Sequence, residues 1–121
     1  MNPIEAITSV FSNYTNFRDR ASRSEFWWWW LANIIFCSIA YTIAGDIGSG
    51  IYVLAIFIPN LAVTVRRHHD GNRSGWWILL GIIPFIGPLV LLFWYVSKGT
   101  EGPNQYGPDP LRPEYGDEYR Y

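Results

Sequence analysis

The chain has 121 residues, half of them hydrophobic and 18% aromatic, with 16% charged and a net charge of −1. That length holds one domain, and the charged fraction sits below the roughly 25% of ordinary soluble domains. The composition therefore excludes an ordinary cytosolic enzyme, and the near-neutral balance gives no electrostatic reason to expect nucleic acid.

The charge is also segregated. Asp46 is the only charged residue between Phe26 and Val65, and none lies between Ser74 and Ser97. A small soluble domain has too little interior to hide such stretches. The pattern is that of a membrane protein.

Residues 1–25 read as an amphipathic and basic N-terminal segment. Ile4, Ile7, Phe11 and Tyr14 recur at helical spacing with polar residues between them, which predicts a short helix too polar to span a bilayer. It either lies in the interface or packs on a membrane bundle. No cleavable leader is expected, because the basic residues come late and the apolar run that follows is too long.

Residues 26–97 read as a transmembrane helical domain with spans at 26–44, 47–65 and 76–96. Ser22 or Ser24 caps the first span, and Ser22 to Glu25 has capping-box spacing. Trp27 to Trp30 place four indoles around its start, as an aromatic belt does at headgroup level. Gly45 to Gly50 reads as a tight turn. The second span carries Pro59, where a kink is expected, and the polar residues Asn60 and Thr64 on one face, a candidate intramembrane polar face. Asp70-Gly71-Asn72 is a turn signal before the third span. Pro84 and Pro88 then interrupt the run, and one bent helix is favoured over a hairpin of two half-helices.

Residues 98–121 contain four prolines, four glycines and eight charged residues, and read as an extended tail. Lysine and arginine placement puts the N-terminus and the 66–75 loop in the cytoplasm and the tail of a three-span chain outside.

The two basic segments meet at one membrane face. They offer Arg18, Arg20, Arg23, Arg66, Arg67 and Arg73 against Asp19, Glu25 and Asp70. Arginine forks suit the phosphates of anionic phospholipids; the same groups also suit topology signalling and ion pairing, with Glu25 partnered by an arginine of the other segment. The candidate lipid or partner face is Arg20, Arg23, Glu25, Arg66, Arg67, His69, Asp70 and Arg73. His68 and His69 are neighbours on a turn with no third ligand, so no metal is expected. Cys37 alone allows no internal disulfide and no cysteine-based zinc site. No catalytic constellation and no cofactor motif is legible.

Three blocks carry a family resemblance. Phe17 to Trp27 resembles F-x-G-R-A-S-R-x-E-F-W, Ile58 to Trp77 resembles I-P-S-L-A-V-T-V-R-R-L-H-D-x-x-R-S-G-W-W, and Gly99 to Pro110 resembles G-T-P-G-x-N-R-Y-G-P-D-P. In this order they resemble the DUF805 family of small bacterial inner-membrane proteins. The resemblance marks Arg20, Ser22, Arg23, Glu25, Arg66, Arg67, His69, Asp70, Arg73 and Ser74, and in the tail Asn104, Tyr106, Gly107 and Asp109. Asp19, Asn60, His68, Glu101 and Gln105 depart from it, standing where glycine, serine, leucine, proline and arginine are usual. It implies architecture and location, and no activity.

The expected fold is an all-α integral membrane protein: an interfacial N-terminal helix, three transmembrane helices and an irregular Pro/Gly-rich tail. The expected role is that of a non-enzymatic accessory or scaffold subunit whose basic cytoplasmic face meets anionic lipid, other membrane subunits or a second copy. The alternative is a small oligomeric transporter or channel lined by Asn60 and Thr64.

Overall fold

The computed structural model describes residues 2–107 and 109–111; the end of the expected tail, 112–121, lies outside them. The described residues are all-α, with one isolated bridge between Asn104 and Gly107 in the tail. Helix α1 spans Pro3–Ser12, α2 Arg23–Ala55, α3 Phe57–Asp70 and α4 Ile86–Val96, with a 3-10 helix at Gly75–Ile82 before α4.

Helix α1 starts where Asn2 caps it, accepting from the Glu5 N–H at 2.8 Å, with Pro3 in its first turn. Ala6 and Val10 are buried, while Ile4, Phe11 and Tyr14 remain exposed. The helix thus packs on the bundle through Ala6, Val10 and the half-buried Ile7, while Phe11, though half exposed, sets its ring edge-to-face with Trp29 at 5.3 Å.

Helix α2 begins with the expected cap, the Ser22 hydroxyl accepting from the Glu25 N–H at 3.3 Å. It is interrupted at Ala44 and Gly45, where φ is −138° and +62°. Gly45 combines that φ with ψ −146°, a conformation open to glycine and closed to residues with a Cβ. The chain doubles back there: the Tyr52 hydroxyl reaches Asn33 Oδ1 at 2.5 Å, and Trp29 Nε1 donates to Asn60 Oδ1 at 3.1 Å. The turn therefore occupies two residues, and Asp46 to Gly50, expected within it, are already helical. Pro59 has no N–H to give Ala55, and the returning arm breaks beside it at Ile56. Residues 23–43 are about 31 Å long at helical rise. The stretch Arg23–Ala55 is long and apolar enough to cross a membrane.

The third expected span is corrected. Residues 76–96 form two antiparallel arms, the 3-10 helix and α4, joined through Ile83 to Phe85. Trp77 meets Trp94 at 5.8 Å between ring centroids, and Gly87 abuts the Leu80 carbonyl with no room for a Cβ. Phe85 takes φ +66° at the tip, unusual for a bulky residue. Each arm is about 16 Å long, roughly half the hydrocarbon thickness, so neither crosses alone. The prolines act as breakers rather than as a bend, and the tail consequently emerges beside residues 66–75.

The core sits at that same end. Val10, Ala21, Trp29 and Val63 are buried together, with Ile7 and Ile56 against them.

Candidate functional site

The polar end of the molecule is built by three short stretches. The first turn of α2 presents Glu25, the last turns of α3 present Arg66 to Asp70, and the segment before α2 presents Arg20. A carboxylate at a helix N-terminus and cations at a helix C-terminus both complement the helix dipoles.

Arg66 Nη1 donates to Glu25 Oε2 at 2.8 Å, and the Ser9 hydroxyl donates to the same oxygen at 3.0 Å, tying α1 to the pair. Asp70 holds two arginines: Arg20 Nε on Oδ1 at 3.0 Å and Arg67 Nη1 on Oδ2 at 2.8 Å. All five of these charged side chains are at most 6% exposed. Arg67 Nη2 also donates to the carbonyls of Tyr95 and Ser97 at 3.1 and 2.5 Å, fixing the end of α4.

The described part of the tail, expected only as an extended segment, closes the cluster. Arg20 donates to the carbonyls of Thr100 and Gly102, the latter at 2.7 Å. Asn104 Nδ2 donates to the His69 carbonyl at 2.9 Å, and the Asp109 carboxylate accepts from the Gly102 N–H at 3.0 Å. The Tyr106 ring lies flat on His69, 3.8 Å between centroids and 2° between planes.

The two histidines differ. His69 Nδ1 faces the Arg18 and Asp19 carbonyls at 3.1 Å each, so it carries the proton and donates. His68 Nε2 meets the Tyr95 hydroxyl at 3.0 Å, and burial, reinforced by Arg73, His69 and Arg67, pushes its pKa down to about 4. Burial raises the Asp70 carboxyl from its ordinary value, against the pull of Arg20 and Arg67. Five buried nitrogens, on Arg66, Arg67, His68 and Arg73, have no hydrogen-bond partner among the described residues. Such a cluster specifies a geometry at considerable desolvation cost.

Of the sequence-predicted residues, Arg20, Glu25, Arg66, Arg67, His69 and Asp70 thus come together in the interior. Arg23 stays exposed beside them, donating to the Val96 carbonyl at 3.1 Å. Arg73 leaves the carboxylates and stacks over Trp94 at 4.4 Å. Asn60 accepts from Trp29, and Thr64 returns its hydroxyl to the Asn60 carbonyl one turn earlier in the same helix at 2.8 Å. Sequence reasoning missed Ser9 and Tyr95, and also Asn33 and Tyr52, two polar residues inside apolar runs. Among the described residues, no three His, Cys, Asp or Glu side chains are grouped to hold a metal.

Two cavities adjoin the cluster. One of about 310 Å³ lies between Arg23, Ser24, Asp70, Lys98, Thr100 and Asp109. Another of about 470 Å³ is an apolar trough between α3 and the 3-10 helix.

A small helical membrane protein with a buried arginine–carboxylate clasp is the class these features define. The family model described as "Protein of unknown function (DUF805)" matches residues 14–108, and the chain belongs to that family. Its relatives include "Inner membrane protein YhaI" of Escherichia coli (strain K12), 46% identical over 108 residues, covering 84% of this chain and 92% of the relative. "Inner membrane protein YhaH" of the same strain is 43% identical over 111 residues with the same coverage. "Uncharacterized protein YiiR", also of that strain, is 29% identical over 130 residues, covering 83% and 89%. No solved structure matches the chain. The chain is an inner-membrane protein.

Proposed function

We propose that this is a non-enzymatic accessory or scaffold subunit that crosses the inner membrane as one helical hairpin, 23–43 and 46–65. The arms 75–82 and 86–96 form a second, half-depth hairpin that enters and leaves on the cytoplasmic side. The observation that carries the reading is the clasp itself. Both of its carboxylates and His69 are held by internal partners, with the tail lying over Asp70 and His69, so the polar end fixes four helical arms rather than presenting reactive groups.

Orientation follows from the positive-inside rule. Two hairpins bring Arg18, Arg20, Arg23, Arg66, Arg67, Arg73 and Lys98 to one face, whereas the far turns at 44–45 and 83–85 contain no lysine or arginine. The face with the cations is cytoplasmic, and the N-terminus with it. Anionic phospholipids and other membrane subunits, or a second copy, are the partners such a body meets. The oligomeric transporter has less support, because Asn60 and Thr64 are hydrogen-bonded within the bundle.

Native-membrane purification with subunit counting tests the role: a stable heteromer is expected, and a closed homo-oligomer with solute flux would replace it. Substituted-cysteine labelling in a Cys37→Ser background tests the path. Positions 18, 72 and 100 should label from the cytoplasm. Labelling of position 46 from that side would overturn the orientation.

A further inference from the structure

The arginines expected to meet lipid are mostly engaged inside the clasp, which leaves Arg18 and Arg23 as exposed cations with no carboxylate partner among the described residues, and of the two Arg18 adjoins the apolar trough. Its neighbour Asp19 turns its carboxylate to Asn16 Nδ2 at 2.8 Å. The Arg18 backbone is held at the clasp by His69, and the preceding Phe17 forms part of the wall of the apolar trough. From Phe17 the trough runs between Leu61 and Val65 of α3 and Trp76 and Leu79 of the 3-10 helix. Gly75 permits this approach of the two elements, since a Cβ there would stand 2.9 Å from Val65 Cγ1. Ser74 and His69 make its polar end.

We infer that this trough is a binding site for one anionic phospholipid, its acyl chain lying along Leu61, Val65 and Leu79 and its phosphate at Arg18. The inference deepens the proposed membrane placement and rests on it. Leu61 and Val65 lie within the proposed second crossing, Val65 directly before Arg66 and Leu61 about one turn deeper, so the open side of the trough faces acyl chains rather than water. Trp76 is 79% exposed at its rim, the position an indole takes at headgroup level. Arg18 follows Phe17 of the wall and its carbonyl meets His69 of the polar end, so its side chain starts within reach of a headgroup there, and a guanidinium fork matches a phosphate. An apolar channel with a cation at its headgroup end fits a lipid, and a soluble anion would leave the channel unused.

The test is native mass spectrometry of the full chain, released from micelles carrying phosphatidylglycerol or phosphatidylcholine with identical acyl chains. The wild type is expected to retain one lipid and to prefer phosphatidylglycerol. Arg18→Gln should reduce that preference about fivefold, the effect of one arginine at an anionic surface. Arg18→Lys should restore most of it. Leu79→Trp, which fills the trough from an exposed wall, should lower retention of both lipids. An unchanged preference in Arg18→Gln, or unchanged retention in Leu79→Trp, overturns the site. An equal loss in Lys98→Gln, an exposed cation of the tail, would mean a diffuse charge effect and overturns it too. Cysteine labelling separates this failure from that of the membrane placement, since position 46 still reports the crossing when no lipid is retained.

Discussion

The two ends of the molecule are held by opposite means. At the polar end Glu25, Arg66, Arg67 and Asp70 are buried among Val10, Ala21, Trp29 and Val63, and nearly every element is tied to another through a named side chain. At the far end Ile43, Ile47, Leu54, Ile82, Phe85 and Ile86 are all exposed. The arms there meet through close backbone approach at Gly48 and Gly87 and through one hydrogen bond, Tyr52 to Asn33. The charged end therefore supplies tertiary specificity. The apolar end has little interior of its own, and its outer surface is completed by the bilayer.

The comparison breaks most severely at Asp70. Asp70→Asn leaves Arg20 and Arg67 as buried charges without a counter-ion, and should cost about 3–5 kcal/mol. The check is the unfolding midpoint in detergent, together with faster proteolysis of a tail no longer anchored by Arg20.

A pH titration sharpens the same contrast. His68 stays neutral in the folded chain down to about pH 4, while the unfolded imidazole takes its proton near 6.5. Between those values the unfolded state binds more protons. His68 therefore contributes its full stability above about pH 6.5 and loses it as pH falls toward 4, by at most about 1.4 kcal/mol per pH unit. Comparing His68→Leu with the wild type isolates the histidine: the variant should lose the acid-side slope, and an unaltered slope would remove His68 as its source.

A double-mutant cycle comes next. Glu25→Gln and Arg66→Gln should each destabilise, with a coupling of about 1–3 kcal/mol for a contacting buried pair. Glu25 against Arg73 should be additive, because Arg73 is stacked on Trp94. Equal coupling to both arginines would replace the discrete pair with a diffuse field.

The smallest effect is expected at the far end. Asn33→Leu removes the hydrogen bond from Tyr52, and intramembrane bonds of this kind average about 0.6 kcal/mol. Thermal melts in bicelles should register a shift far below that of Asp70→Asn; a comparable shift would contradict the division between the ends.

Much of this was legible in the chain. Ser22 and Glu25 announced their cap, the apolar run from Phe26 its helix, and the carboxylate of Glu25 its need for an arginine at the boundary. The doubling of residues 75–96 was not. Twenty-one uncharged residues suit one full crossing or two half-depth arms equally well by hydropathy, and what separates them is tertiary: the approach of Gly87 to Leu80 and the packing of Trp77 on Trp94. Nor was the docking of the tail visible, because Arg20 binds backbone carbonyls of Thr100 and Gly102, and side-chain composition says nothing about those acceptors. The tail block resembling G-T-P-G-x-N-R-Y-G-P-D-P was the available signal: Asn104 and Tyr106 dock it on His69, and Asp109 folds it back on Gly102.

The half-depth hairpin at Phe85 gives the molecule unequal cross-sections. Seated as proposed, it displaces lipid from the cytoplasmic leaflet with four helical arms and α1 alongside, but from the outer leaflet with two arms. The outline is a wedge, broad on the cytoplasmic side, and the two monolayers must differ in area to accommodate it. Crowded together, such wedges favour a membrane bowed toward the cytoplasm, so that the density of the protein and the local shape of the bilayer become linked.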